Sequence, residues 1–282
     1  MIKIIDGKQT SLDIKEEIKI EVEKIVEKGE RAPGLAVIIV GENPASKVYV
    51  NSKVKTCNAL GIYSEKHILN SEITENELLK LIEDLNDKEE IDGILVQLPL
   101  PKHIDEDKII EAIKPSKDVD GFHPINLGKL VIGKDGFKSC TPYGIMELFK
   151  RYEIDLNGKD VVVVGRSNIV GKPLSIMLTS ENATVTLCHS RTKNLSEKTL
   201  NADIVVVAIG REKFLTEDMV KEGTVVIDVG INRNEAGKLC GDVDFENVSK
   251  KTLLITPVPG GVGPMTIAML MKNTVKSRMG RI

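Results

Sequence analysis

Short apolar runs recur along this chain at the length of one strand, and helical patterns separate most of them. Residues 35–40 read L-A-V-I-I-V, 93–96 read G-I-L-V, and 161–164 are four valines. T-V-T-L-C (184–188), I-V-V-V-A-I (204–209), V-V-I-D-V (225–229) and L-L-I-T (253–256) complete the series. A run that is apolar at nearly every position has no wet face, so its strand is buried on both sides. Strands of this kind alternating with helices form parallel sheets covered by helices on both faces.

The helices carry their own punctuation. Ile14, Ile18, Val22 and Ile25 recur every three or four residues after Thr10 and Ser11, with Gly29 as a stop signal. Pro44 suits a first helical position after Asn43, in a helix that ends near Gly61. Thr74 and Glu77 form a capping box ahead of Leu78, Leu79, Ile82 and Leu85. The stretch 115–142 reads as loop. A chain of 282 residues fits two domains. The expected fold is therefore two α/β domains, 1–119 and 120–282, the second a Rossmann-like parallel sheet for a dinucleotide. Ligands of such folds lie beyond the carboxyl ends of the strands, so an active-site cleft between the domains is expected.

Several classes of function are excluded. The formal net charge is −3, which argues against nucleic acid or an anionic membrane as partner. Aromatic residues are 3% with no Trp, which leaves no platform for stacking bases. No apolar run reaches membrane-spanning length, and M-I-K-I-I-D-G-K at the start has no apolar core of a leader. Cys57, Cys140, Cys188 and Cys240, and His67, His103, His123 and His189, are scattered. They read as reduced thiols and isolated imidazoles, with no metal site.

V-V-V-V-G-R-S-N-I-V-G-K-P (161–173) is a strand, a glycine turn and a helix start. Such a turn lets backbone approach a pyrophosphate at a helix N-terminus. Five residues separate Gly165 from Gly171, so neither G-x-G-x-x-G nor the NTP-binding P-loop is met. After the next strand an NAD site places Asp or Glu, but here stand Ser190 and Arg191, with Arg166 in the preceding turn. Hydroxyl and guanidinium groups suit a 2′-phosphate, which favours NADP. The plain alternative is an ordinary βα turn with a surface arginine.

S-K-V-Y-V-N-S-K (46–53) places Ser46, Tyr49 and Lys53 on one helical face, with Lys47 and Lys55 elsewhere. On spacing alone Lys53 reads as a solvated lysine. Proton chemistry would require its pKa to fall from ~10.4 toward neutrality, which takes about 4 kcal/mol from burial or a nearby positive charge. Gln97 interrupts an apolar run near a strand end and needs a partner, either a nearby backbone group or a site residue. Asp118 and Asp120 in K-D-V-D-G-F-H-P (117–124) are either turn formers or ligand-binding carboxylates. T-P-V-P-G-G-V-G-P-M-T (256–266) permits close backbone approach to a ligand, or is only a loop.

Taken together, Y-V-N-S-K, G-I-L-V-Q-L-P-L-P, D-V-D-G-F, V-V-G-R-S-N-I-V-G-K-P and P-G-G-V-G-P-M-T resemble, in order, the signature segments of the bifunctional methylenetetrahydrofolate dehydrogenase/methenyltetrahydrofolate cyclohydrolase family. The resemblance covers nearly the whole chain. One departure is Ser139 before C-T-P, where the family often has Pro. The resemblance implies Lys53 as catalytic lysine, Gln97 tuning it, and Tyr49 packing over a folate whose pterin Asp120 holds. It implies substrate contacts from Ser46 and from Pro259, Gly260 and Gly261, and NADP held by Gly165, Arg166, Ser167, Ser190 and the backbone near Ile231. It implies a homodimer and a last helix, near 265–280, that packs back on the first domain; the reduced thiols read above fit a cytoplasmic protein. Two other readings stay open: an NADP-dependent dehydrogenase without cyclohydrolase activity, and a dinucleotide-sensing protein without turnover.

Overall fold

The computed structural model describes residues 3–280; Met1, Ile2, Arg281 and Ile282 lie outside the described residues. The reading of residues 1–8 as lacking a leader rests in part on those first two positions. The strands are β1 (Lys3–Ile4), β2 (Gly34–Val40), β3 (Tyr63–Leu69), β4 (Gly93–Val96), β5 (Asp160–Val164), β6 (Thr184–Cys188), β7 (Ile204–Val207), β8 (Val225–Asp228), β9 (Asn232–Arg233), β10 (Leu239–Cys240) and β11 (Leu254–Ile255). The helices are α1 (Gly7–Glu27), α2 (Pro44–Ala59), α3 (Glu75–Asp87), α4 (Glu106–Ala112), α5 (Pro124–Val131), α6 (Cys140–Arg151), α7 (Gly171–Ser180), α8 (Leu195–Asn201), α9 (Phe245–Val248) and α10 (Val262–Arg278).

Two compact units form. One comprises Met1–Leu12 with Thr141–Thr266, the other Asp13–Cys140 with Ile267–Ile282. The chain thus passes from one to the other after Leu12, Cys140 and Thr266.

The first unit holds a six-stranded sheet in the order β1-β11-β8-β7-β5-β6. Every pairing in it is parallel. The chain leaves β5 for β6 on one side, then returns to place β7 on the other, which makes the end of β5 the topological switch point. All four valines of 161–164 and all of Ile204–Val207 are buried, so both faces of the sheet are covered. One face packs Val162, Val164, Val205, Val207 and Val226 against Leu215, Val220 and Val248.

The second unit is built on a parallel sheet, β3-β2-β4. β2 is buried along its whole length. Leu78, Ile82 and Leu85 of α3 join Ala36, Ile38, Ile94 and Val96 in one core. Thr74 and Glu77 close the capping box at the start of α3 as expected. Within this unit α10 is fastened by Ser277 Oγ, which donates to the carbonyls of Asp92 and Ser116 at 2.7 and 2.8 Å.

Three features depart from the sequence expectations. β3 was not expected: Y-S-E-K-H-I-L is largely polar because it is an edge strand with exposed positions. β1 pairs with β11, about as distant in sequence as the chain permits, so no local pattern marks it. The expected loop 115–142 contains α5, whose Pro124 opens the helix and whose His123 Nδ1 accepts from the Ile125 amide at 3.0 Å. Asp118 organises this segment. It is 2% exposed and accepts from the amides of Gly121, Phe122 and His123 and from Asn126 Nδ2, at 2.8–3.1 Å. Replacing it with Ala takes the acceptor from the Phe122 and His123 amides, while Gly121 keeps the Asp118 main-chain carbonyl and Asn126 Nδ2 keeps that of Pro115. Asp118→Ala is expected to cost about 3 kcal/mol in urea unfolding followed by circular dichroism. A loss below about 1 kcal/mol would mean that water replaces the carboxylate.

Candidate active site and dinucleotide turn

α2 starts where Asn43 Oδ1 accepts from the Ser46 amide at 3.1 Å and Pro44 supplies the first turn. Ser46, Tyr49 and Lys53 then follow on one face. Lys53 is only 8% exposed, so the solvated reading of this lysine does not hold. Lys47 pairs with Glu42 and Lys55 is exposed, as ordinary surface lysines are.

The Lys53 ammonium donates to Gln97 Oε1 at 3.0 Å. Gln97 stands one residue past β4, its amide bonded to the Ile38 carbonyl at 2.8 Å. Its side-chain NH2 donates to the Leu98 carbonyl at 2.8 Å, which fixes the oxygen toward the lysine. Both sequence readings of Gln97 are therefore realised at once.

Burial lowers the Lys53 pKa, while the charges of Asp120 and Cys140 pull it up. The same surroundings push the Asp120 carboxyl up, with Lys53 opposing. Burial and the neighbouring Asp120 raise the Cys140 thiol well above its ordinary value. Asp118 and Asp120 have divided the two roles offered by the sequence: Asp118 closes the turn, and Asp120, half-buried, comes within electrostatic reach of the lysine. Cys140 was not among the expected site residues. Its only sequence signal is its place in the C-T-P segment that follows D-V-D-G-F. Asn273 of α10 ties this corner together, donating to the carbonyls of Val119 and Lys138 at 2.8 and 3.1 Å.

The other expected residues lie in the first unit. Gly165 follows β5 with φ +123°, and a Cβ there would meet the Ala208 carbonyl oxygen at 2.3 Å. A Cβ on Gly171 would meet the Gly165 oxygen at 1.8 Å. Neither position admits another residue. Ser167 Oγ accepts from the amides of Val170 and Gly171 at 3.1 and 3.4 Å and so closes the turn into α7. Arg166 and Ser190 are exposed. Ser190 follows β6, whose Cys188 pairs with Val164, so Arg166 and Ser190 extend from adjacent strand ends. Ile231 follows β8, two strands away from β5. Pro259, Gly260 and Gly261 follow β11, and the Gly260 carbonyl accepts from the Lys8 amide at 2.8 Å. Among the described residues no three His, Cys, Asp or Glu side chains gather as metal ligands, and no helix is long and apolar enough to cross a membrane.

A doubly wound sheet with a glycine turn at its switch point, in a chain whose other unit buries a lysine, defines an enzyme of the dinucleotide-dependent class. Residues 5–120 match the model of the tetrahydrofolate dehydrogenase/cyclohydrolase catalytic domain, and residues 139–281 match that family's NAD(P)-binding domain. The bifunctional protein FolD of Campylobacter hominis is 60% identical over 281 residues, covering 100% of this chain and 99% of that one. The crystal structure of the bifunctional methylenetetrahydrofolate dehydrogenase/cyclohydrolase FolD from Campylobacter jejuni superimposes with a TM-score of 0.98 at 57% identity, covering 100% of both chains. That of Trypanosoma brucei, complexed with NADP and an inhibitor, gives 0.94 at 38% identity and covers 99% of this chain and 98% of its own. The chain belongs to the tetrahydrofolate dehydrogenase/cyclohydrolase family and is a bifunctional enzyme carrying both domains.

The buried lysine has a consequence for stability. Because its folded-state pKa lies below the unfolded value, the unfolded chain holds the proton more firmly, and stability rises with pH between the two values. Lys53→Met removes that penalty and leaves Gln97 Oε1 without a donor, which costs about 1 kcal/mol. Its Tm at neutral pH is expected within about 4 °C of wild type. A fall beyond about 10 °C would make the lysine a structural residue.

Proposed function

We propose that the chain oxidises 5,10-methylenetetrahydrofolate to 5,10-methenyltetrahydrofolate with NADP and then hydrolyses that product to 10-formyltetrahydrofolate. The observation that carries this reading is the buried Lys53–Gln97 pair beside Asp120. The methylene carbon lies between two nitrogens that share the positive charge left when hydride departs, so oxidation needs positioning more than a base. NADP, when bound, accepts that hydride. Gly165 and Gly171 give the backbone approach a pyrophosphate needs, and exposed Arg166 and Ser190 suit its 2′-phosphate. Ser167 shapes the same turn, and the backbone near Ile231 borders it farther along the sheet.

The methenyl product is a cation, and a cation close to Lys53 lowers its pKa further. The neutral amine takes a proton from the water that adds to the methenyl carbon. It returns that proton to the ring nitrogen as one C–N bond opens, and the hydroxyl loses its proton as the formyl carbonyl forms. Gln97 orients the amine, Tyr49 packs over the folate, Asp120 holds the pterin, and Ser46 adds a substrate contact from the same unit. From the strand-and-helix pattern the catalytic folate-binding part is assigned to 1–119 and the NADP-binding part to 120–282; the homodimer is what the family resemblance implies, and reduced thiols suit a cytoplasmic protein.

Two assays test the lysine. Lys53→Met is expected to keep measurable NADPH formation from the methylene substrate and to lose at least about 100-fold in hydrolysis of supplied methenyltetrahydrofolate. Undiminished hydrolysis would remove Lys53 from the mechanism. A wild type that oxidises without hydrolysing would be a dehydrogenase only, and one that binds NADP without turnover would be a sensor.

The pH profile tests its neighbour. The Asp120 charge raises the Lys53 pKa, so its removal lowers it. In Asp120→Asn the acid limb of kcat for hydrolysis is expected to move to lower pH. A limb that stays in place or moves up would dissociate the two residues.

A further inference from the structure

Two buried carboxylates in the dinucleotide unit have no part in the reading above. Asp228 ends β8 and is 2% exposed; Asp242, in the connection from β10 to α9, is fully buried. Asp242 Oδ2 accepts from the amides of Ile209 and Gly210 at 2.7 and 3.0 Å. Its Oδ1 accepts from the Arg211 amide at 2.7 Å and from Asn232 Nδ2 at 2.9 Å. Asp228 Oδ1 accepts from the amides of Gly230 and Asp242 at 2.9 and 2.8 Å, and its Oδ2 from Val243 at 3.0 Å. Two glycines make room for them. A Cβ on Gly230 would meet Asp242 Oδ1 at 2.3 Å, and one on Gly241 would meet Asp228 Oδ2 at 1.8 Å.

The clamp gathers three connections: the one leaving β7, the one leaving β8 and the one entering α9. The first of these is packed directly on the glycine turn, since the space beside Gly165 is closed by the Ala208 carbonyl and by Ile209 Cγ2. The second carries Ile231. A dinucleotide crosses such a sheet at its switch point. With the 2′-phosphate of its adenosine half assigned to Ser190 and Arg166 on the β6 side, its nicotinamide half extends over the ends of β7 and β8.

We propose that Asp228 and Asp242 are positioning residues for the nicotinamide half of the dinucleotide, holding the chain after β7 and β8 in its binding form through backbone amides. The proposal rests on the NADP reading above. A carboxylate is required because both oxygens of Asp242 accept two donors each. Asn would turn an NH2 group against one of these donor pairs.

Equilibrium binding to the full-length protein tests it, with NADP and adenosine 2′,5′-bisphosphate as probes. Asp242→Asn is expected to weaken NADP about tenfold or more and to leave the bisphosphate within about twofold of wild type. Asn232→Ala, which removes a single side-chain donor, is expected to give the same pattern at about threefold. It tests the idea even if the first variant does not fold. Unchanged NADP affinity in both variants, or equal loss of both ligands in a variant with native circular dichroism, would overturn the proposal. If wild type binds neither probe, the NADP reading itself fails.

Discussion

Parallel strands all leave their sheet at one end, and the connections crowded there need acceptors for amides that no neighbouring strand can satisfy. In this protein buried aspartates supply them. Asp228 and Asp242 gather the connections after β7 and β8, and Asp118 does the same for three amides and an Asn side chain in the connection from α4 to α5. A carboxylate is costly to bury, but one that accepts three or four N–H groups recovers much of its lost hydration. Burial still prevails at Asp118 and Asp228, whose carboxyls are pushed up to about 6. The connections after β7 and β8, and the segment from α4 to α5, thus depend on a few interior oxygens.

Lys53 is the contrasting case. Its ammonium has one neutral amide oxygen and a carboxylate nearby, a set that does not offset the water it has lost, so its pKa falls. Burial also raises the acids beside it, Asp120 and Cys140. Burial therefore drives all three toward their uncharged forms. An amine held in this way receives a proton without first shedding a strong partner, which a tightly paired surface lysine cannot do.

The sheets were legible because their strands are buried on both faces. A strand such as 161–164 must be apolar at every position, and a run of four to six such residues bounded by turn signals marks it. β3 and β1 were not, the one because an edge strand keeps polar residues, the other because its partner lies near the far end of the chain. α5 was missed because its start is capped by a histidine, not by Ser, Thr, Asn or Asp. At the site, Tyr49 and Lys53 were visible as a helical pair. Whether the lysine was wet or buried was not visible, since its surroundings come from β4, the loop at 118–121 and the start of α6.

The same difference separates the two halves of the chemistry. The dinucleotide turn is made of backbone, and backbone leaves its mark as glycine spacing, because a single Cβ at Gly165 or Gly171 would strike a carbonyl. The lysine site is made of side chains from separate segments, each with an ordinary explanation: a surface lysine, a loop-bonded glutamine, a turn aspartate, a reduced thiol. Only their joint burial gives them a shared electrostatic fate, and joint burial is a property of the fold. The clamp of Asp228 and Asp242 falls between these cases. Its glycines are local marks, D-V-G and G-D, but what each makes room for is the other aspartate's oxygen: Gly241 for Asp228, thirteen residues away in sequence, and Gly230 for Asp242, twelve away. Reciprocal vacancy of that kind, one glycine per carboxylate, is a packing statement about the pair, and it makes the two connections a single mechanical unit.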